Sequence, residues 1–190
     1  MRRVIVLGLV AGLVLASGCV STVAKQAFYG ATGASGRYFE IRDAGAKGAL
    51  DRYLAVQVEA FDPSPMLGAI PTDVVAAVQP AIVAKVTEMQ VFSQIASNVT
   101  AKPALIIRGK FMDYDPGTSA VRAVGLGADP SLTAQIQLID AEANKVVGVA
   151  MVTGTVKSAV RTGPKELAEG IGKAVKGLLE AHMLRKPEKK

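Results

Sequence analysis

The segment S-L-T-A-Q-I-Q-L-I-D-A-E-A-N-K-V-V-G-V-A-M-V-T-G-T-V, Ser131 to Val156, decides the fold. Leu132, Ala134, Ile136 and Leu138 alternate with Thr133, Gln135 and Gln137, the period of two expected when one face of a strand is buried and the other wet. Asp140 to Lys145 carries turn residues and Val146 to Val156 returns, so the segment predicts an antiparallel hairpin.

Upstream, Leu105–Tyr114 puts Leu105, Ile107 and Phe111 on one face and Arg108 and Lys110 on the other, and Asp115-Pro116-Gly117 ends it. Leu54, Val56, Val58 and Ala60 alternate with Ala55, Gln57 and Glu59 until Asp62-Pro63-Ser64-Pro65 stops the strand, and a short strand is expected at Val91–Ile95. A helix is expected from an N-cap at Thr72, with Val75, Val78, Ile82, Val86 and Met89 at helical spacing and a kink near Gln79, because Pro80 removes a backbone donor. The last helix starts at Pro164 and aligns Leu167, Ile171, Ala174, Leu178 and His182, while Gly170, Gly172 and Gly177 imply close packing against a sheet. The fold class is therefore α+β: a mostly antiparallel sheet of four to five strands with two helices packed on one face. It forms a single domain over residues 49–184, followed by a basic tail at 185–190.

The amino-terminal end reads differently. Arg2 and Arg3 precede an uninterrupted apolar run, Val4 to Leu15, and then Leu15-Ala16-Ser17-Gly18-Cys19. A helix over that run rises about 18 Å, short of the ~30 Å hydrocarbon core, which is the length of a signal-peptide core and not of a membrane span. The pattern resembles the bacterial lipobox. The resemblance implies removal of residues 1–18 and diacylglycerol on Cys19, although Ala16 stands where leucine is commonest. The membrane would then be a partner through the N-terminal lipid. Val20 after the cysteine, in a Gram-negative host, implies the outer membrane with the domain facing the periplasm. Residues 19–48, punctuated by Gly30, Gly33, Gly36, Gly45 and Gly48, read as the lipidated cysteine and a tether, with Arg37–Ile41 as a short strand at a sheet edge.

Composition narrows the chemistry. The chain carries a formal charge of +6, and losing Arg2 and Arg3 leaves 20 basic against 16 acidic residues. Nine aromatics, none interleaved with a basic run, argue against nucleic acid. One cysteine excludes an intramolecular disulfide, and one histidine, His182, on an apolar helical stripe, leaves no staged nucleophile. No catalytic residue, cofactor or metal site is expected. Asp113 and Asp115 are explained by the turn that follows them. Gly125 and Gly127 lack the third glycine and the following helix of a dinucleotide fingerprint. Arg122, with Gly125 and Gly127, is the candidate partner-binding loop, a guanidinium placed to grip an anionic group.

Asp115-Pro116-Gly117, Arg122, Gly125-Leu126-Gly127 and the alternating strand Ser131–Asp140 resemble a bacterial lipoprotein family known as domain of unknown function 4410, over about residues 50–183. That resemblance implies an α+β fold and an envelope location but no activity. The expected function is a non-catalytic, lipid-anchored periplasmic module that binds an envelope protein or cell-wall polymer. A ring component of an outer-membrane secretion or pore complex and, less favoured, a hydrolase stand as alternatives; oligomeric state is left open.

Overall fold

The computed structural model describes residues 33–66, 68–117, 129–157 and 163–185. The leader, Cys19, the start of the tether, the Arg122–Gly127 loop and residues 186–190 lie outside the described residues.

Among the described residues six strands and two α-helices follow in order: β1 Gly33–Arg42, β2 Ala55–Val58, α1 Thr72–Thr87, β3 Gln94–Ala96, β4 Ala104–Asp115, β5 Ser131–Asp140, β6 Lys145–Lys157 and α2 Pro164–Ala181. They build one sheet in the order β1-β6-β5-β4-β2-β3, antiparallel from β1 to β4 and parallel where β2 meets β4 and β3. The expected hairpin is β5–β6, registered by Leu132↔Gly154, Ala134↔Val152, Ile136↔Ala150 and Leu138↔Gly148. Its turn is held by Asp140, whose Oδ1 accepts the Glu142 and Ala143 amides at 3.0 Å each, and Asn144 takes the left-handed conformation the turn requires (φ 47°).

The sheet holds six strands where four to five were expected. The difference lies at its margins. Residues 33–42, read as tether with a short edge strand inside, form a full ten-residue edge strand paired along β6. Glycine and serine had masked its period of two: Ala34, Gly36 and Tyr38 face the core while Arg37 and Phe39 face solvent. At the other edge the expected Val91–Ile95 strand is three residues long and starts later, at Gln94. Leu54, expected on the buried face, is exposed, because β2 begins one residue after it.

Both helices lie on one face. α1 buries Val74, Val78, Ile82 and Val86, with Val74 in place of the expected Val75, and remains a continuous helix through Pro80. Thr72 is its first residue, its N-cap is Pro71, and no side chain caps it. α2 buries Leu167, Ile171, Ala174, Val175, Leu178 and Leu179 against the sheet and α1. Its approach to the sheet depends on glycine. A Cβ on Gly36 would strike the Gly170 carbonyl oxygen, one on Gly154 the Leu167 carbonyl oxygen, and one on Gly170 would lie 2.6 Å from the Ser35 carbonyl oxygen. Gly172 does the same work toward α1, 2.7 Å from the Ala81 carbonyl oxygen, so the helix glycines serve two partners and not the sheet alone. Lys85 reaches Glu169 at 3.3 Å and Lys176 reaches Glu88 at 3.2 Å, tying the two helices at their wet margin.

Candidate functional site

With both helices on one side, the other face of the antiparallel strands has no covering element among the described residues. A period of two sends every second side chain there. Cross-strand register then sets the neighbours. Arg108 on β4 stands opposite Gln137 on β5, and Lys110 stands opposite Gln135. On β6, Val149 stands opposite Gln137 and Met151 opposite Gln135, and Phe39 on β1 stands opposite Met151. The face thus runs from a cationic and amide strip on β4–β5 to an apolar strip on β6–β1.

A shallow pocket of about 170 Å³ opens on the polar strip, lined by Asp62, Arg108, Gly109, Lys110, Gln135 and Gln137. Pockets that take drug-sized ligands or cofactors run from about 300 Å³ upward, so this one suits a single group projecting from a larger partner. The chain after β2 forms its wall: Asp62 donates its amide to the Gly109 carbonyl at 2.8 Å and accepts the Phe111 amide on its own carbonyl at 3.1 Å. Gly109 is required there because the Phe61 ring lies directly against it on the buried side. The Asp62 carboxylate is held below the usual range by the Ser64 amide, then by the Ser64 hydroxyl and the charge of Lys110. Arg108 forks onto Glu59, Nε to Oε2 at 2.5 Å and Nη2 to Oε1 at 3.1 Å, which keeps its guanidinium raised above its ordinary range. Among the described residues, neither glutamine amide has a hydrogen-bond partner and Lys110 makes no ion pair. The pocket therefore presents an ammonium and two free carboxamides, each able to bond an oxygen-rich group.

A second cluster surrounds His182, the buried residue that caps the end of α2. Its Nδ1 lies 2.8 Å from the Gly45 carbonyl oxygen, an acceptor only, so Nδ1 donates. Its Nε2 lies 2.8 Å from Glu40 Oε2. Both ring nitrogens are therefore engaged, one by a carbonyl and one by a carboxylate. Glu40, Asp43 and His182 offer ligand atoms within 4.8 Å of one another, the spacing a metal ion would need. The trio the fold assembles includes neither Asp113 nor Asp115. With both ring nitrogens already engaged, it fits an anchor that ties the end of α2 to the end of β1.

A third network closes the sheet at the β5 end. Asp140 accepts from Tyr53 Oη at 3.0 Å and Arg52 Nη2 at 2.7 Å in addition to the two turn amides. The Ala143 amide does most to hold its carboxyl below the ordinary range, with burial opposing and Tyr53, the Glu142 amide and Arg52 assisting.

Of the residues singled out from sequence, Cys19, Arg122, Gly125 and Gly127 lie outside the described residues. Asp113 and Asp115 sit opposite Thr133 and Ser131 at the far end of β4, away from the pocket. The pocket residues had been assigned only to the wet sides of their strands. The signal that could have joined them is the pairing of two mid-strand glutamines with two cations once the β4–β5 register is fixed.

The fold and this face define a class: an α+β domain that backs a mostly antiparallel sheet with two helices and leaves the other face open. Within that class the chain belongs to the family described as "Domain of unknown function (DUF4410)", whose profile matches residues 48–159, more than half of it. No curated protein matches it. Among solved structures, a single-substitution variant of the PelC dodecamer from Paraburkholderia phytofirmans aligns with a TM-score of 0.52 at 14% identity, covering 79% of this chain and 99% of that one. PelC in a second crystal form aligns at 0.48 with 17% identity, covering 76% and 96%. A DUF330 protein from Xanthomonas campestris aligns at 0.40 with 8% identity, covering 73% and 88%. At these identities the likeness to the first of them is one of fold.

Proposed function

We propose that this chain is a non-catalytic binding module of the bacterial cell envelope, held by lipid on Cys19 in the outer membrane of a Gram-negative cell and facing the periplasm. The observation that carries the reading is the open sheet face, where Lys110, in no close ion pair, stands with the Gln135 and Gln137 amides, which bond no described residue. The Gln135 and Gln137 amides stay open to solvent, so a docked partner's oxygens can take the place of water on them. An envelope protein or cell-wall polymer with carboxylate or hydroxyl groups fits that chemistry. The absence of catalysis is supported by His182, the one histidine, having both ring nitrogens engaged away from the pocket. Capture experiments with the full chain and a Lys110→Glu/Gln137→Ala variant test the reading. A partner held by the first and lost by the second supports it, whereas equal capture moves the binding surface elsewhere.

A second reading, a subunit of a ring in an envelope secretion or pore complex, has one specific observation in its favour: the fold is shared with a protein crystallised as a dodecamer. Mass measured in gentle detergent separates the two, since a monomer at working concentration removes the ring.

A further inference from the structure

The apolar margin of the open face has no place in the pocket's chemistry. Phe39 is 45% exposed and Ile41 54% exposed on β1, the edge strand. Ile41 is the extra residue at the bulge where pairing with β6 shifts between Glu40 and Arg42. Arg37 and Arg42, both exposed, bracket the two apolar side chains on the same strand. An edge strand is usually guarded by charge, by proline or by a bulge. Here the guard is cationic and the guarded side chains are large and apolar, which is the composition of a surface that rests at a lipid interface. The opposite edge differs, for β3 is three residues long and the one cation beside the exposed Leu54, Arg52, is already paired with Asp140 at 2.7 Å.

We propose that the β1 margin, through Phe39 and Ile41 with Arg37 and Arg42, seats the domain on an anionic bilayer surface. Charge complementarity selects this occupant, because guanidinium groups beside apolar tips meet acidic headgroups and acyl chains together. Chain length agrees. Cys19 lies fourteen residues before Gly33, a reach of at most about 50 Å when fully extended, which is long enough for the β1 margin to meet a bilayer that holds a lipid there. Of the carboxylates near this margin, Glu40 turns inward to His182, while Asp43, 70% exposed, lies beyond the end of the strand, where it accepts the Gly45 amide and stands 3.6 Å from the His182 ring. This orientation rests on the anchored reading above. It tilts the open face so that its β1 margin meets the membrane, with the pocket strip two strands further in.

The chain contains no tryptophan, so a single one reports cleanly. The full chain carrying Phe39→Trp, and separately Leu54→Trp, is placed with vesicles of phosphatidylcholine alone or with phosphatidylglycerol, with and without brominated acyl chains. Trp at position 39 should emit at shorter wavelength and be quenched in the anionic vesicles, while Trp at position 54 stays solvent-like. Adding Arg37→Gln and Arg42→Gln should lower the constant for seating on the anionic vesicles, read from the quenching, by about fivefold per cation. A Trp at position 39 that stays solvent-like on protein floating with anionic vesicles overturns the seating while leaving the anchor intact. A blue shift that appears without vesicles and grows with protein concentration overturns it in favour of a second copy on the strip. Flotation of a Cys19→Ser chain tests the anchor separately, so quenching that survives that change retains the seating and removes the lipid.

Discussion

His182 shows how one residue can join two ends of a chain. Its ring reaches Glu40 across 142 positions and Gly45 across 137, and its own carbonyl accepts the Gly48 amide at 2.9 Å. Its side chain is 2% exposed and that of Glu40 17% exposed, so removing the ring leaves a nearly buried carboxylate without its partner. His182→Ala is expected to cost about 3 kcal/mol, read from urea unfolding, because breaking a buried pair from one side leaves an uncompensated charge. Replacing Glu40 as well, by Gln, should recover part of that loss. The helical stripe identified the histidine as packed, but no local pattern reveals a partner so far away. Asp140 gives a prediction in pH. Its folded pKa lies below the unfolded value, so its contribution is complete above the ordinary carboxylate range and is lost as pH falls through the folded value. Asp140→Asn should weaken the protein at neutral pH and flatten the acid limb of stability, measured by thermal melts across pH 2 to 7.

Among the elements, β1 and α2 are the informative pair. Strands with regular alternation were legible: Leu132 to Leu138 on β5 and Leu105 to Phe111 on β4 are each buried as their period implies. β1 was legible only as the short edge strand Arg37–Ile41, because the residue that belongs in its core-facing series at position 36 is a glycine. That glycine looks like spacer composition in the sequence and is a docking surface in the fold. The two readings separate experimentally. A spacer tolerates Gly36→Ala, whereas the observed contact with the Gly170 carbonyl does not. Gly36→Ala and Gly170→Ala are each expected to cost about 1–3 kcal/mol, the range for overpacking a close contact, seen as lowered urea midpoints. An exposed glycine such as Gly68, with open space around its Cβ position but a φ of 81°, offers a control whose cost comes from backbone conformation alone. The ion pairs between the helices contribute less, since Glu88 and Glu169 remain 40% or more exposed; Lys176→Ala should change stability by less than about 1 kcal/mol.

For the whole molecule, the architecture was legible and the candidate site was not. Alternation reports which side of a strand is wet, so Arg108, Lys110, Gln135 and Gln137 were each placed correctly. It does not report which residue faces which, and the pocket exists only through the β4–β5 register and the return of the chain at Asp62. The loop with Arg122 drew attention because glycine and arginine stand out in a sequence, whereas two glutamines in a strand do not. Conversion of Cys19 to Ser is expected to move the protein from the detergent phase to the aqueous phase in a Triton X-114 partition, with no change in its unfolding midpoint.

The place of β1 at the sheet margin also has a mechanical meaning. A domain held from its amino-terminal side receives every pull at Gly33, which is paired with Lys157 at the start of the β1–β6 ladder. Force along the strand would load all of that ladder in shear, whereas force across it would open the pairs one after another, starting at Gly33. Either route meets Gly36 within three residues, where the strand is wedged beneath α2. The glycine contact is therefore the stop that a peeling strand reaches first, and tension on the tether would be borne by the helix–sheet contact before it is felt at the pocket on β4 and β5.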